Sequence, residues 1–282
     1  ATKHIPEVYW RTLTRKIKEN VPQERTIFQI GETYGSHELI SSYIGSGMLN
    51  SQFDFNVHYA ALNTFARTDF PFTETNRMMI EGFGYYGWNN LMGIITGNHD
   101  KGRFISYAGG ALSFDEDAKL AGWTREIGVG DPVAYRKLQM LNAFILTIPG
   151  IPTIYQGDEF GQPGGNDPDN RRMMQFTDLN PKEKETLEIT RKLTNLRRST
   201  IALNYGTFEP LLVEERVYAY SRTYMKQTVV VVFNNSDGTV NVEIPLSHGQ
   251  SNTMHPQFGS SHRIAENAIE LTLEPYSFEV FL

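Results

Sequence analysis

Short apolar runs that close on a glycine or a carboxylate punctuate the first two thirds of the chain. They span residues 26–32, ending in Gly31-Glu32; 48–55, with Asp54 near its end; 91–97, followed by Asn98-His99-Asp100; and 151–157, followed by Asp158-Glu159. Continuous apolar strands suit a parallel sheet covered on both faces. Helical patterns stand between and around them. Pro6 suits a first helical turn, and Trp10, Leu13, Thr14 and Ile17 recur at helical spacing behind it. Asp131-Pro132 opens a second helix through Tyr135, Leu138, Leu141, Phe144 and Ile145, with Asp131 as its expected N-cap. Asn180-Pro181-Lys182-Glu183 opens a third, with Glu183 at the capping-box position. Strand and helix in alternation, with polar residues at the strand ends, predict an α/β fold.

Near Tyr205 the grammar changes. Runs at 208–213, 217–224, 228–234, 239–244, 269–273 and 278–282 read as strands with no helix-length pattern between them, and Ser236-Asp237-Gly238 reads as a hairpin turn. The expected organisation is an α/β unit over residues 1–205 and a small antiparallel β domain over 206–282. The α/β unit shows four strands, whereas a closed (β/α)8 barrel needs eight and about 250 residues. It is therefore a smaller open sheet or half of a barrel, and half a barrel on its own leaves apolar edges that invite aggregation.

Composition narrows the function. Hydrophobic residues make up 40% of the 282 and charged residues 21%, as in ordinary globular domains. A formal charge of −6 speaks against nucleic acid as a partner. No apolar run approaches the roughly 20 residues that span a bilayer, so no membrane is expected. Cysteine is absent, which removes disulfides and thiolate metal sites. The seven histidines show no spacing typical of a transition-metal site, so no metal ligand is assigned. The opening residues have no signal-peptide pattern and no initiator Met, and read as an internal start. The compartment stays open, with periplasm or secretion ahead of cytoplasm.

Barrel enzymes carry their chemistry at the C-terminal ends of several strands. Glu32 follows one strand here and Asp100 another. Two carboxylates are what glycoside hydrolysis requires, though a single acidic residue after a strand is more often a helix cap. His99 beside Asp100 is either a hydrogen-bonded strand-end histidine or a donor to a sugar hydroxyl. Asp167 and Arg171, four apart, form either an exposed ion pair of little value or a clamp in which the guanidinium fork holds hydroxyls.

Together these residues resemble a family. Gly97-Asn98-His99-Asp100 after an apolar strand, with Gly31-Glu32 about 65 residues earlier, resembles the alpha-amylase family of glycoside hydrolases (family 13). Residues 150–159, Gly-Ile-Pro-Thr-Ile-Tyr-Gln-Gly-Asp-Glu, resemble that family's eighth-strand segment. Ala1-Thr2-Lys3-His4 resembles the end of its fourth-strand motif, in which a catalytic Asp precedes Ala. The resemblance implies the C-terminal half of a (β/α)8 TIM barrel followed by an antiparallel β-sandwich. It implies Glu32 as general acid/base, Asp100 as the aspartate that stabilises the transition state, His99 as a donor to the same sugar, Lys3 and His4 on the leaving-group side, and Asp167 and Arg171 on the non-reducing side. The nucleophile would immediately precede Ala1. On that reading the chain alone is inactive, and its partner is the N-terminal half of the barrel, covalent or separate.

Residues 164–174 resemble the cyclomaltodextrinase, neopullulanase and maltogenic amylase branch, which often dimerises, so a homodimer is among the expectations. The implied reaction is retaining hydrolysis of α-1,4-glucosidic bonds in maltooligosaccharides, cyclodextrins or starch-type glucans. Two alternatives stay open: glucosyl transfer or isomerisation at the same site, and a glucan-binding or partner subunit without catalysis. No cofactor is required; calcium is left open, because the family's usual calcium ligands lie partly upstream.

Overall fold

The computed structural model describes residues 2–22, 24–45, 47–246, 254–265 and 267–282. Strand β1 (Ile30–Gly31) pairs in parallel with β2 (Ser51–Gln52), and β3 (Gly93–Ile95) pairs in parallel with β4 (Ile151–Thr153). A parallel bridge from Phe53 to Gly93 joins the two pairs, and the Asp54 N–H donates to the Gly93 carbonyl at 2.9 Å. The order β1-β2-β3-β4, all parallel, is half of a (β/α)8 barrel.

Helices cover the outside. Helix α1 (Glu7–Asn20) precedes β1, and α2 (His37–Ser41) connects β1 to β2. Helices α3 (Phe55–Ala66) and α4 (Phe72–Tyr86) lead to β3. Helices α5 (Phe104–Ala108), α6 (Ala118–Thr124) and α7 (Val133–Thr147) lead to β4, and α8 (Pro181–Ser199) and α9 (Ile201–Tyr205) follow.

The strands are shorter than the apolar runs that announce them. Burial sets the run, whereas ladder hydrogen bonds set the strand. Residues beyond β3 and β4 turn into loops, and the run at 48–55 ends in a helix cap: Asp54 Oδ1 accepts from the N–H groups of Asn56 and Val57. Helices α3 and α4 have no counterpart among the sequence expectations. Helix α3 is buried on most sides, which erases its amphipathic stripe, and two glycines dilute the pattern of α4. Helix α7 is capped differently from the expectation. Pro132 holds the N-cap position and offers no side-chain acceptor, so Asp131 Oδ1 reaches the Val133 N–H from one residue further out. The capping box at α8 forms as expected: Asn180 Oδ1 accepts from Lys182 and Glu183, and Glu183 Oε2 accepts from the Asn180 N–H.

The C-terminal region is a two-sheet sandwich. Strands β5 (Thr207–Val213), β6 (Val217–Tyr224) and β7 (Gln227–Asn234) form an antiparallel sheet, while β8 (Val240–Pro245), β9 (His262–Ala265) and β10 (Ala268–Leu273) belong to a second. Strand β11 (Ser277–Phe281) completes the first sheet in the order β11-β7-β6-β5, and the second runs β8-β10-β9. The unbroken run Val229–Phe233 reflects a strand covered on both faces. Val230 and Val232 pack with Ile244, Ile269 and Leu271 between the sheets, whereas Val229, Val231 and Phe233 join Phe65, Phe72 and Phe144 against the barrel helices.

Residues 236–238 do not form the expected hairpin turn, because β7 and β8 lie in different sheets. The Asn234 amide organises this crossover, accepting from the Ser236 N–H and donating to the carbonyls of Gly238, Leu273 and Glu274. Strand β9 has no counterpart among the sequence expectations either; two of its four residues are exposed, two are half-buried, and it lacks an apolar run.

Candidate active site

The sequence expectations converge on the loops at the C-terminal ends of the parallel strands. Glu32 leaves β1 partly exposed. The Thr2 N–H donates to the Glu32 carbonyl at 2.7 Å, and the Glu32 N–H donates to Thr2 Oγ1 at 2.9 Å. The opening segment therefore lies beside the end of β1. Ala1 is outside the described residues. Lys3 Nζ donates to the Tyr34 carbonyl at 2.7 Å and lies 5.7 Å from that ring's centroid, while His4 is exposed.

Asn98 links this segment to the loop after β3. Its Nδ2 donates to Glu32 Oε1 at 3.3 Å, and its Oδ1 accepts from the Asp100 N–H at 3.0 Å. Beyond it runs a row of charges. His99 Nε2 stands 3.5 Å from Asp100 Oδ1, Arg171 Nη2 is 3.6 Å from the same oxygen, and Arg171 Nε is 2.7 Å from Asp167 Oδ1. Lys119 Nζ lies 3.7 Å from the other Asp167 oxygen. His99, Asp100, Asp167 and Arg171 keep between 37% and 56% of their side chains in solvent, so these polar groups remain accessible to a hydroxylated ligand.

Several residues that support this face were not singled out from the sequence. Arg103 is buried and its guanidinium donates to four residues of the stretch that follows β4. Its Nη1 donates to the Gln156 carbonyl and to Asp158 Oδ1, and its Nη2 donates to the Asn170 carbonyl and to Gln162 Oε1. Burial pushes the Asp158 carboxyl above the usual carboxylate range, opposed by the guanidinium and by the Thr96 hydroxyl, which donates to Oδ2 at 2.6 Å. An arginine followed by the apolar pair Phe104-Ile105 was the available signal for Arg103. Among the described residues, no group of three or more His, Cys, Asp or Glu is gathered to hold a metal.

Such a half-barrel, with polar loops at its strand ends and a β-sandwich behind it, defines a (β/α)8 catalytic-domain class. The alpha-amylase catalytic-domain model matches residues 3–199, and the maltogenic amylase C-terminal-domain model matches residues 208–280. The chain belongs to the alpha-amylase family. Among its relatives, a cyclomaltodextrinase of Thermoanaerobacter pseudethanolicus is 29% identical over 234 residues, covering 82% of this chain and 36% of the relative. A cyclomaltodextrin glucanotransferase of a Bacillus species is 28% identical, covering 84% of this chain and 30% of the relative. An Anoxybacillus alpha-amylase structure superposes with a TM-score of 0.79 at 25% identity, over 99% of this chain and 56% of that one. The chain thus spans less than half the length of these two curated relatives.

Proposed function

We propose that the intact protein hydrolyses α-1,4-glucosidic bonds of maltooligosaccharides, cyclodextrins or starch-type glucans with retention of configuration. The observation that carries this reading is the contact of Asn98 with Glu32, which sets one carboxylate beside the loop holding the other, Asp100. In this scheme Glu32 protonates the leaving oxygen and then deprotonates water. Asp100 and His99 hold the hydroxyls of the sugar under attack, and Asp100 offsets the positive charge that develops on its ring. Arg171 and Asp167 hold the next sugars on the non-reducing side, and Lys3 and His4 face the leaving group. The covalent nucleophile is the residue that the sequence resemblance assigns to the position before Ala1, so the proposal concerns the intact protein, and this chain alone is expected to be inactive. An extracellular or periplasmic setting suits a polymeric glucan substrate.

Reducing-sugar release by the intact protein and by its Glu32→Gln variant tests this. Loss of an acid/base group lowers the rate by about 10²- to 10⁴-fold. Undiminished release by the variant would sink the assignment. Product analysis separates hydrolysis from transfer, a reading favoured by the similarity to a glucanotransferase: glucose and maltose indicate hydrolysis, longer or rearranged sugars transfer.

A further inference from the structure

The charged row at the mouth of the site is carried by two loops that have little regular structure of their own. Residues 97–101 hold His99 and Asp100, and residues 164–172 hold Asp167 and Arg171. Loops of this kind place side chains accurately only when something rigid holds them. The structure supplies one such element. Arg103 is 2% exposed and sits two residues beyond the first loop. Its N–H donates to the Gly164 carbonyl at 3.1 Å, at the start of the second loop. Its guanidinium reaches the Asn170 carbonyl at 2.6 Å, beside Arg171, and the Gln156 carbonyl at 2.6 Å after β4. Asp158 Oδ1 holds Nη1 at 3.0 Å, and Tyr155 covers the guanidinium face at 4.3 Å. Thr96, the residue after β3, ties this assembly to the sheet: its hydroxyl donates to Asp158 Oδ2 and accepts from the Tyr155 N–H at 2.9 Å. Asn170 closes the circuit, donating to the Asn98 and Lys101 carbonyls at 3.3 and 2.7 Å.

We propose that Arg103, oriented by Asp158 and Thr96, is the positioning residue that sets Asp100 against the Arg171–Asp167 clamp, and so fixes the spacing between the sugar under attack and its non-reducing neighbours. The role requires a guanidinium. Two of its nitrogens donate to four acceptors, and its carbon lies over the Tyr155 ring; an ammonium is a point charge that matches neither demand. Glu32 stands on the end of β1 and meets this circuit through one long contact, the Asn98 amide at 3.3 Å, so the strut bears on sugar positioning more than on proton transfer.

The inference rests on the proposed hydrolase reading for its kinetic effect, and the test has one arm that does not. In the intact protein, Arg103→Lys is compared with the parent on a maltooligosaccharide and on an aryl α-maltoside whose leaving group departs without acid assistance. Misplacement of binding groups by about 1 Å costs about 10²-fold. A loss of that order in kcat/KM is expected on both substrates, whereas Glu32→Gln recovers on the activated one. Thr96→Val is expected to lose about tenfold and Thr96→Ser to restore the parent value within about twofold, which keeps the test alive if Arg103→Lys does not fold. Hydrogen exchange forms the independent arm: amides in 97–101 and 164–172 should exchange faster together in the variants, while those in 48–53 hold. A folded Arg103→Lys protein within threefold of the parent, a loss recovered on the activated maltoside, or unchanged exchange in both loops would overturn the proposal. Absence of glucan hydrolysis by the parent would instead refute the hydrolase reading and leave the exchange result to decide the strut.

Discussion

Removal of the Arg197 guanidinium should cost the fold about 3 kcal/mol, by way of the C-terminal end of α7. The last carbonyls of a helix have no partner within it. At this end Arg197, reaching across from α8, donates to the carbonyls of Leu146 at 2.8 Å, Ile148 at 3.1 Å and Gly150 at 2.7 Å. Arg222 from β6 donates to the Thr147 carbonyl at 2.6 Å, and both cations face the negative end of the helix dipole. Burial pushes the Arg197 guanidinium down to about 10. That drop corresponds to about 3 kcal/mol, which truncation returns to the protein. Against it, Arg197→Met leaves three carbonyls without this partner in a buried seam, at about 1–3 kcal/mol each, or about 6 kcal/mol at the centre of the range. The difference is a net loss of about 3 kcal/mol. Urea denaturation of the intact protein measures it, with Arg197→Lys, which can satisfy only part of the carbonyl set, falling between parent and Met variant. A loss below about 1 kcal/mol with an unchanged denaturant slope would refute the argument that the arginine serves as the cap of α7.

Two further predictions concern stability. His58 is buried, its Nδ1 lies 3.1 Å from the Ile95 carbonyl, and burial pushes its imidazole down to about 4 from an ordinary 6.5. Between those values the unfolded chain takes up a proton that the folded chain refuses, so this contribution is complete above pH 6.5 and is lost as pH falls towards 4, by about 3 kcal/mol in total. His58→Gln should flatten the stability slope in that window; Asp54 and Asp158, whose raised pKa values act in the opposite direction, remain in both proteins and cancel in the comparison. An identical slope in the variant would rule out His58 as its source. Asn180→Ala removes the acceptor of the α8 capping box and should cost about 1 kcal/mol, read as a lower melting temperature; a cost near zero would mean that α8 is held by its tertiary contacts alone.

The exposed apolar side chains at β1 follow from the barrel-strand pattern itself. Ile27 and Phe28 precede β1 and Ile30 opens it, and among the described residues β1 pairs only with β2. A barrel strand carries an apolar run because it is built to be covered on both faces, and the run persists in the chain whether or not the cover is present.

Local chemistry made much of this protein legible in the linear chain. The alternation of apolar runs and helical spacing identified a parallel α/β unit, since burial on both faces forces continuous apolar strands, and the resemblance of its motifs narrowed that unit to half of a barrel. Asn180 and Glu183 announced the start of α8 because a capping box involves only neighbours. Gly31-Glu32 and the segment 97–100 marked candidate site positions because strand ends are where barrel loops carry polar groups. Contacts between distant segments were decided only by the tertiary structure. The crossover at Ser236 reads as a hairpin until β7 and β8 are seen in different sheets. Asp54 is a local exception: it reads as a strand end until its carboxylate is seen capping α3, because that buried helix carries no amphipathic stripe to announce it. Arg103, Asp158 and Thr96 look like three unrelated polar residues in the chain. Their connection exists only where the loops after β3 and β4 meet, in a buried space whose carbonyls and carboxylate a single planar guanidinium can satisfy.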